Sequence, residues 1–282
     1  MLILRRAEEA RGFARSCKGR GEKVALVPTM GYLHEGHLSL IRLAKRRASN
    51  VMVSLFVNPL QFGPQEDLDR YPRDFERDRT LCEREGVDAL FAPEPAEVYP
   101  PGCATRVEVS GPLTAGLCGA RRPGHFTGVA TVVTKLLTIC EPDVAVFGQK
   151  DAQQALVIQR LVADLDLPVE VVVAPIVREE DGLAMSSRNA CLSLEERAQA
   201  PVLKASLDRA ETLFREGERE AEPLLEAVRA VIGTAAFARL DYAVLVDAKT
   251  LEPVLRVQRP ALLALAAWFG PTRLIDNAVL EP

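Results

Sequence analysis

The sequence predicts an α/β protein: a Rossmann-like, doubly wound parallel sheet followed by a second, smaller α+β domain. Three observations carry this reading. Short apolar runs of strand length alternate with helical patterns through the first part of the chain. Polar segments, several containing glycine, stand where those runs stop, at the edge on which an open parallel sheet binds its ligands. Near Pro175 the alternation gives way to long charged helices and then to grouped apolar runs. These features place two domains at residues 1–176 and 177–282.

The first strand is the run Val24-Ala25-Leu26-Val27-Pro28, stopped by its proline. A turn with Gly31 and Gly36 leads into a helix over about 37–48, marked by Leu38, Ile41 and Ala44. Val51 to Val57 is a second buried strand, ending at Asn58-Pro59 and a polar loop from Leu60 to Pro64. Strand, helix and strand in so short a span form a βαβ unit with a right-handed crossover. A charged helix at 73–85 and a strand at 87–91 follow, then a proline-rich loop and an alternating Arg106–Val109 that reads as a short edge strand. Residues 126–140 carry a helical period, 143–147 a strand, 152–163 a helix and 169–173 a strand. Beyond the boundary, helices are expected at about 194–216 and 221–237, with apolar runs at 242–246, 261–268 and 274–280. There is no internal repeat and no low-complexity segment.

Composition narrows the class. At 282 residues, with 48% apolar and 26% charged residues, the chain is an ordinary globular protein with material for a sizeable core. A net charge of −4 gives no electrostatic case for nucleic acid or membrane binding. The N-terminal basic cluster, Arg5 to Lys23, reads as a solvated helix face. Six scattered cysteines without a CxxC suit a reducing cytoplasm, and neither a signal peptide nor an apolar span of membrane length is present. A cytoplasmic location is expected.

His34 and His37 sit where the first strand hands over to its helix. The first amides of a helix lack internal partners and the dipole is positive there, so an anion is favoured. Gly36 allows close backbone approach, and His37 can donate a ring N–H to a phosphate. Two histidines at i and i+3 are also a metal half-site, or simply loop residues. No cysteine or carboxylate completes a zinc spacing with them, and Glu35 between them has no supporting pattern. The reading is therefore a nucleotide-phosphate site with no protein-held metal. The third histidine, His125, lies in a separate glycine-containing loop, RRPGHFTG. Polar side chains also gather after other strands: Asn58 and Gln61 after the second, and Lys150, Asp151 and Gln154 after the one at 143–147. In a parallel sheet these ends share an edge. The segment MSSRN at 185–189 adds two hydroxyls and a guanidinium suited to phosphate oxygens.

Five stretches together resemble the pantothenate synthetase (pantoate–β-alanine ligase) family, over essentially the whole chain. They are VPTMGYLHEGHLSL (27–40), SLFVNPLQFGPQEDLDRYPRD (54–74), RPGHFTGVATVV (122–133), FGQKDAQQ (147–154) and VREEDGLAMSSRN (177–189). HxGH alone is shared across a nucleotidyltransferase superfamily, whereas VNPLQF and GLAMSSRN in this order are specific. Gln149 departs mildly from the glutamate often found there, and 190–282 matches more loosely. The resemblance implies ATP-dependent condensation of pantoate with β-alanine through a pantoyl adenylate, with Mg²⁺ on the phosphates. It implies ATP binding by Met30, Gly31, Tyr32, Leu33, His34, Glu35, Gly36 and His37. Gly148, Gln149, Lys150 and Asp151 would join them, as would Val177, Met185, Ser186, Ser187 and Arg188. Gln61 and Gln154 would hold pantoate, with Asn58 beside them and Gln61 also near β-alanine. His37, His34, Lys150 and Arg188 are the implied catalytic set, the C-terminal domain is expected to close over the ATP site, and a homodimer is expected.

Three rivals share features with this reading. An adenylyltransferase acting on pantetheine phosphate or nicotinamide mononucleotide would share HxGH but has no need of the glutamine pair. A non-catalytic ATP-binding regulator on the same fold could dispense with the two histidines, Lys150 and Arg188. An aminoacyl-tRNA synthetase would share the adenylation logic, but the chain is acidic and lacks an anticodon-reading domain.

Overall fold

In a computed structural model that describes residues 1–63 and 68–282, the chain divides into two compact units. The first comprises Met1–Ser110, Arg121–Gln149 and Gln154–Pro175; the second comprises Gly111–Ala120, Lys150–Gln153 and Ile176–Pro282. Part of the 54–74 motif, residues 64–67, lies outside the described residues.

The first unit is built on a six-stranded parallel sheet. Its strands are β1 (Leu2–Leu4), β2 (Val24–Thr29), β3 (Asn50–Leu55), β4 (Ala89–Phe91), β5 (Val144–Gly148) and β6 (Glu170–Ala174), in the order β1-β4-β3-β2-β5-β6. The order reverses between β2 and β5, the fourth and fifth strands of the sheet, which creates a switch point there. β2 is buried almost throughout, as befits a strand covered on both faces.

Helices α1 (Ala7–Gly19), α2 (Glu35–Arg47), α3 (Phe75–Arg84) and the short α4 (Pro95–Val98) belong to the first half of this unit. α1 buries Ala10, Ala14 and Cys17, spaced for one helical face, and turns Arg15 and Lys18 outward. The basic cluster of the N-terminus is thus largely a solvated face. Two short helices, α5 (Pro112–Ala115) and α6 (Leu117–Arg121), precede α7 (His125–Cys140), most of whose residues are buried on every side. α8 (Ala152–Asp164) then leads to β6. The apolar cluster between helix and sheet joins Val27, Ile41, Val53, Leu90 and Val146.

Arg106–Val109 does not form the edge strand that its alternation suggested. The Val107 N–H donates to Thr131 Oγ1 at 3.0 Å instead, so a side chain of α7 takes the backbone group that a neighbouring strand would have used.

The second unit packs α9 (Leu194–Gln199), α10 (Val202–Arg215) and α11 (Ala221–Ile232) with an antiparallel sheet of β7 (Ala238–Asp247), β8 (Ala261–Phe269) and β9 (Thr272–Leu280). Leu203, Leu207, Leu224 and Val228 meet Leu263, Leu265 and Phe269 in its core. The single helix expected at 194–216 is two. Pro201 has no N–H to continue the ladder, and the chain turns at Ala200–Pro201 before α10 begins. Among the described residues no helix is long and apolar enough to cross a membrane, and all six cysteines are free thiols.

Candidate active site

The carboxyl ends of β2, β3 and β5 lie side by side, and the sequence-predicted polar residues of this unit follow them directly. After β2 the chain turns sharply, with Gly31 at φ 86° and Tyr32 at φ 50°, both in the left-handed region. The turn is held from α3. Asp78, 2% exposed, accepts from the Tyr32 and Leu33 N–H groups, each at 2.7 Å. Burial pushes the Asp78 carboxyl above its usual range, against the stabilising pull of the Leu33 and Tyr32 amides. Leu33, fully buried, anchors the turn from below.

His34 is the N-cap of α2, in extended backbone, and His37 is three residues into the helix. The His34 N–H donates to His37 Nδ1 at 3.3 Å, and the two rings lie 4.1 Å apart between centroids. An Nδ1 that accepts carries no proton, so a neutral His37 presents its N–H at Nε2. The pair therefore places a histidine donor beside amides that α2 itself cannot use.

After β3, Asn58 anchors a network of neutral groups. Its Oδ1 accepts from Tyr99 Oη at 2.8 Å and from the Leu60 N–H at 3.3 Å. Its Nδ2 donates to Gln61 Oε1 and to the Gly128 carbonyl, both at 3.0 Å. Burial pushes the Tyr99 phenol up, which keeps it a donor at neutral pH. These bonds settle which way both amides face: Gln61 Oε1 is engaged and its Nε2, 3.1 Å from Met30 Sδ, carries the donor hydrogens. Met30 from one motif and Asn58 and Gln61 from the next thus meet.

β5 ends at Gly148, where a Cβ would find no atom within 4 Å, and a 3₁₀ turn, Gln149–Asp151, follows. Gln154 stands half-buried in the first turn of α8.

Lys150, Asp151 and Val177–Arg188 belong to the second unit. The Lys150 carbonyl accepts from Asn277 Nδ2 of β9 at 3.0 Å. Arg178 grips the buried Asp276 of β9 through two bonds of 2.7 and 3.0 Å and also donates to the Gly182 carbonyl. The Met185 N–H donates to the Val177 carbonyl, and Asn189 Nδ2 holds the Ala184 carbonyl and Glu179. Ser186 Oγ accepts from the Arg188 N–H at 3.3 Å, opening the 3₁₀ turn Ser187–Cys191. The segment read as a polar loop is a braced hairpin and turn.

Asp78, Tyr99 and Arg122 were not read from the sequence, and His125 was noticed without a role. A buried aspartate in a charged helix and a tyrosine in a proline-rich loop carry no local signal. Only the return of the chain brings them to the motifs.

Asp78→Ala should leave two buried N–H groups without acceptors and cost about 2–5 kcal/mol in urea unfolding. Asp78→Asn should cost less, because one oxygen remains. A carboxyl whose folded-state value is raised stabilises most below its unfolded value of about 3.9 and loses that contribution as pH rises through the folded one. A carbon-detected NMR titration should therefore place Asp78 above 3.9. A midpoint below it, or an unchanged unfolding curve in Asp78→Ala, contradicts the assignment.

Comparison with known proteins adds the family. The model for pantoate-beta-alanine ligase matches residues 2–279. A pantothenate synthetase of Pelotomaculum thermopropionicum is 54% identical over 280 residues, covering 99% of each chain. The crystal structure of pantothenate synthetase from Thermus thermophilus has a TM-score of 0.96 at 48% identity, covering 100% of both chains. A pantoate-beta-alanine ligase from Francisella tularensis, complexed with beta-gamma ATP and beta-alanine, has a TM-score of 0.79 at 32% identity, covering 99% of this chain and 97% of that one. The fold, the strand-end motifs and these matches agree: the chain belongs to the pantoate–β-alanine ligase family, the pantothenate synthetases.

Proposed function

We propose that this chain condenses (R)-pantoate with β-alanine at the expense of ATP, releasing AMP and pyrophosphate by way of a pantoyl adenylate, as a step in coenzyme A biosynthesis. The observation that carries the proposal is the neutral amide network around Gln61, on the same sheet edge as the histidine-capped start of α2. Neutral amides that can donate and accept suit a hydroxy acid, whereas the start of α2 suits a phosphate.

In the first step a pantoate carboxylate oxygen attacks the α-phosphorus and pyrophosphate leaves. A carboxylate of pKa about 4 is already ionised, so no base is required. Positioning and relief of the departing negative charge are the tasks left to the protein. We assign them to His34, His37, Lys150, Ser186, Ser187 and Arg188, with Met30–Leu33, Glu35, Gly36, Gly148, Gln149, Asp151, Val177 and Met185 also assigned to ATP. Gln61 and Gln154 hold the hydroxy acid, and Asn58 orients Gln61. In the second step the β-alanine amine attacks the acyl carbon and AMP leaves. The ammonium, of pKa about 10, must first lose a proton, and His37 is the group proposed to move it.

Mg²⁺ enters as part of the nucleotide substrate. No group of three His, Cys, Asp or Glu residues gathers among the described residues, so phosphate oxygens are its natural ligands. When bound it neutralises phosphate charge. A homodimer in the cytoplasm completes the proposal, and sedimentation velocity checks the assembly.

With ATP, Mg²⁺, pantoate and β-alanine, AMP and pantothenate should appear in equal amounts. Phosphate-bearing acceptors in place of pantoate should release no pyrophosphate. Without β-alanine, single-turnover quenching should give pyrophosphate and an enzyme-bound acyl adenylate; turnover without that burst removes the intermediate.

His37→Ala should lower adenylation by roughly 10²–10³, as for loss of one preorganised donor, with the fold intact. Near-normal turnover would refute the role. Gln154→Ala should raise the KM for pantoate far more than that for ATP; equal rises would reduce Gln154 to an architectural residue. Amide exchange over 182–190 should slow when ATP and Mg²⁺ are added, and Arg188→Ala should weaken ATP use. Unchanged exchange with full activity in that variant would return the turn to an ordinary surface segment.

A further inference from the structure

We propose that His125, locked in one tautomer by Arg122, is a positioning residue that sets the orientation of Gln61 through its backbone carbonyl. The inference rests on the assignment of Gln61 to pantoate made above.

Two side chains converge on one carbonyl oxygen. His125 Nδ1 lies 2.8 Å and Arg122 Nη2 lies 3.2 Å from the oxygen of Gln61. The same guanidinium places Nη1 3.0 Å from His125 Nε2. A guanidinium only donates and a carbonyl only accepts. His125 Nε2 must therefore be the lone-pair nitrogen, and Nδ1 must carry the hydrogen that goes to Gln61. A second ring proton would point at the guanidinium. His125 is 8% exposed and closes its own turn by donating its N–H to the Arg122 carbonyl at 3.1 Å. It is the first residue of α7, so the donor stands on a rigid helix.

The next turn of α7 extends the grip. Gly128, three residues on and hence on the same face, accepts from Asn58 Nδ2 through its carbonyl. A Cβ there would lie 2.2 Å from the Leu60 carbonyl oxygen, so only glycine admits the Asn58–Gln61 turn at this distance. Asn58 orients the Gln61 amide while His125 and Arg122 fix the peptide that follows its Cα. A rotation of that peptide would swing the Cα–Cβ bond and carry the amide away from the substrate. Without His125 a buried carbonyl loses its main donor and has reason to turn.

His37 and His125 should hold opposite tautomers: Nε2–H at His37, where Nδ1 accepts, and Nδ1–H at His125. The chain has three histidines, so isotope-labelled imidazoles can be resolved by long-range nitrogen–proton NMR. The test has two arms. In the wild type, the spectrum should show the Nδ1–H form at His125, identified by its loss in His125→Asn. In kinetics, His125→Ala should raise the pantoate KM roughly tenfold or more while the ATP KM stays within about twofold. His125→Asn, which returns an N–H near the position of Nδ1, should recover most of that loss. Thermal melting establishes that each variant is folded. If His125→Ala does not fold, Arg122→Ala, at the more exposed end, takes its place and should raise the pantoate KM several-fold. An Nε2–H form at His125 would overturn the proposal whatever the activity. So would equal rises in both KM values, an unchanged pantoate KM, or no recovery in the asparagine variant. A wild type that releases pyrophosphate only with other acceptors would instead overturn the assignment of substrate, and the NMR arm would still judge the tautomer.

Discussion

The pairing of β2 with its two neighbours is the constraint on which the candidate site depends. β2 pairs with β3 along its whole length, from Val24 to Thr29, but with β5 only at Ala25 and Leu26. That ladder stops two residues short of Pro28, which has no N–H to offer. The shorter ladder falls where the strand order reverses, and the chain leaves β2 and β5 at that switch point, the edge on which open parallel sheets bind ligands. A parallel sheet with both faces covered leaves little other place for polar groups to collect.

The turns at these strand ends are braced from a distance. Asp78 on α3 holds the turn after β2 by two backbone amides, and Asn58, Tyr99 and α7 hold the turn after β3. The first brace is an anionic carboxylate facing two N–H donors. The second is built from uncharged groups. The difference has consequences. A buried charge must keep its donors or lose stability, whereas a neutral network fixes the direction of each amide without adding a field that would repel a carboxylate substrate. The second unit braces its own hairpin in a similar way, where Arg178 and Asp276 tie the 178–184 segment to β9.

Much of the fold was legible because its signals are local. Apolar runs of strand length and the 3.6-residue period of α2 and α7 survive in any context, and both located the elements to within a few residues. The failures have separate physical causes. Val107 looked like a strand residue because alternation says which side chains are apolar but not which group will take the backbone N–H. β1 is three residues long, too short to show a period. The break at Pro201 was written in the sequence and was outweighed by the amphipathic pattern on either side.

The sequence by itself determined the residue types at the candidate site, their order along the chain and their place at strand ends. Periodicity and the punctuation of glycine and proline depend on nearest neighbours and on steric limits of single residues. It also determined the family, because five motifs in one order are far more restrictive than any one of them. Only the tertiary structure decided how those residues are held: that Asp78 serves the backbone of Tyr32 and Leu33, that Gln61 Oε1 is engaged by Asn58 and its Nε2 turned toward Met30, and that the His37 and His125 rings take opposite hydrogens. Each of those facts is a hydrogen bond whose partners the local pattern does not name. The Asp78 bonds join residues tens of positions apart, and the Asn58–Gln61, His34–His37 and Arg122–His125 contacts, though short in sequence, depend on turns that the rest of the unit imposes. Direction and distance between such groups arise when the chain has packed, and they are the terms that decide the chemistry.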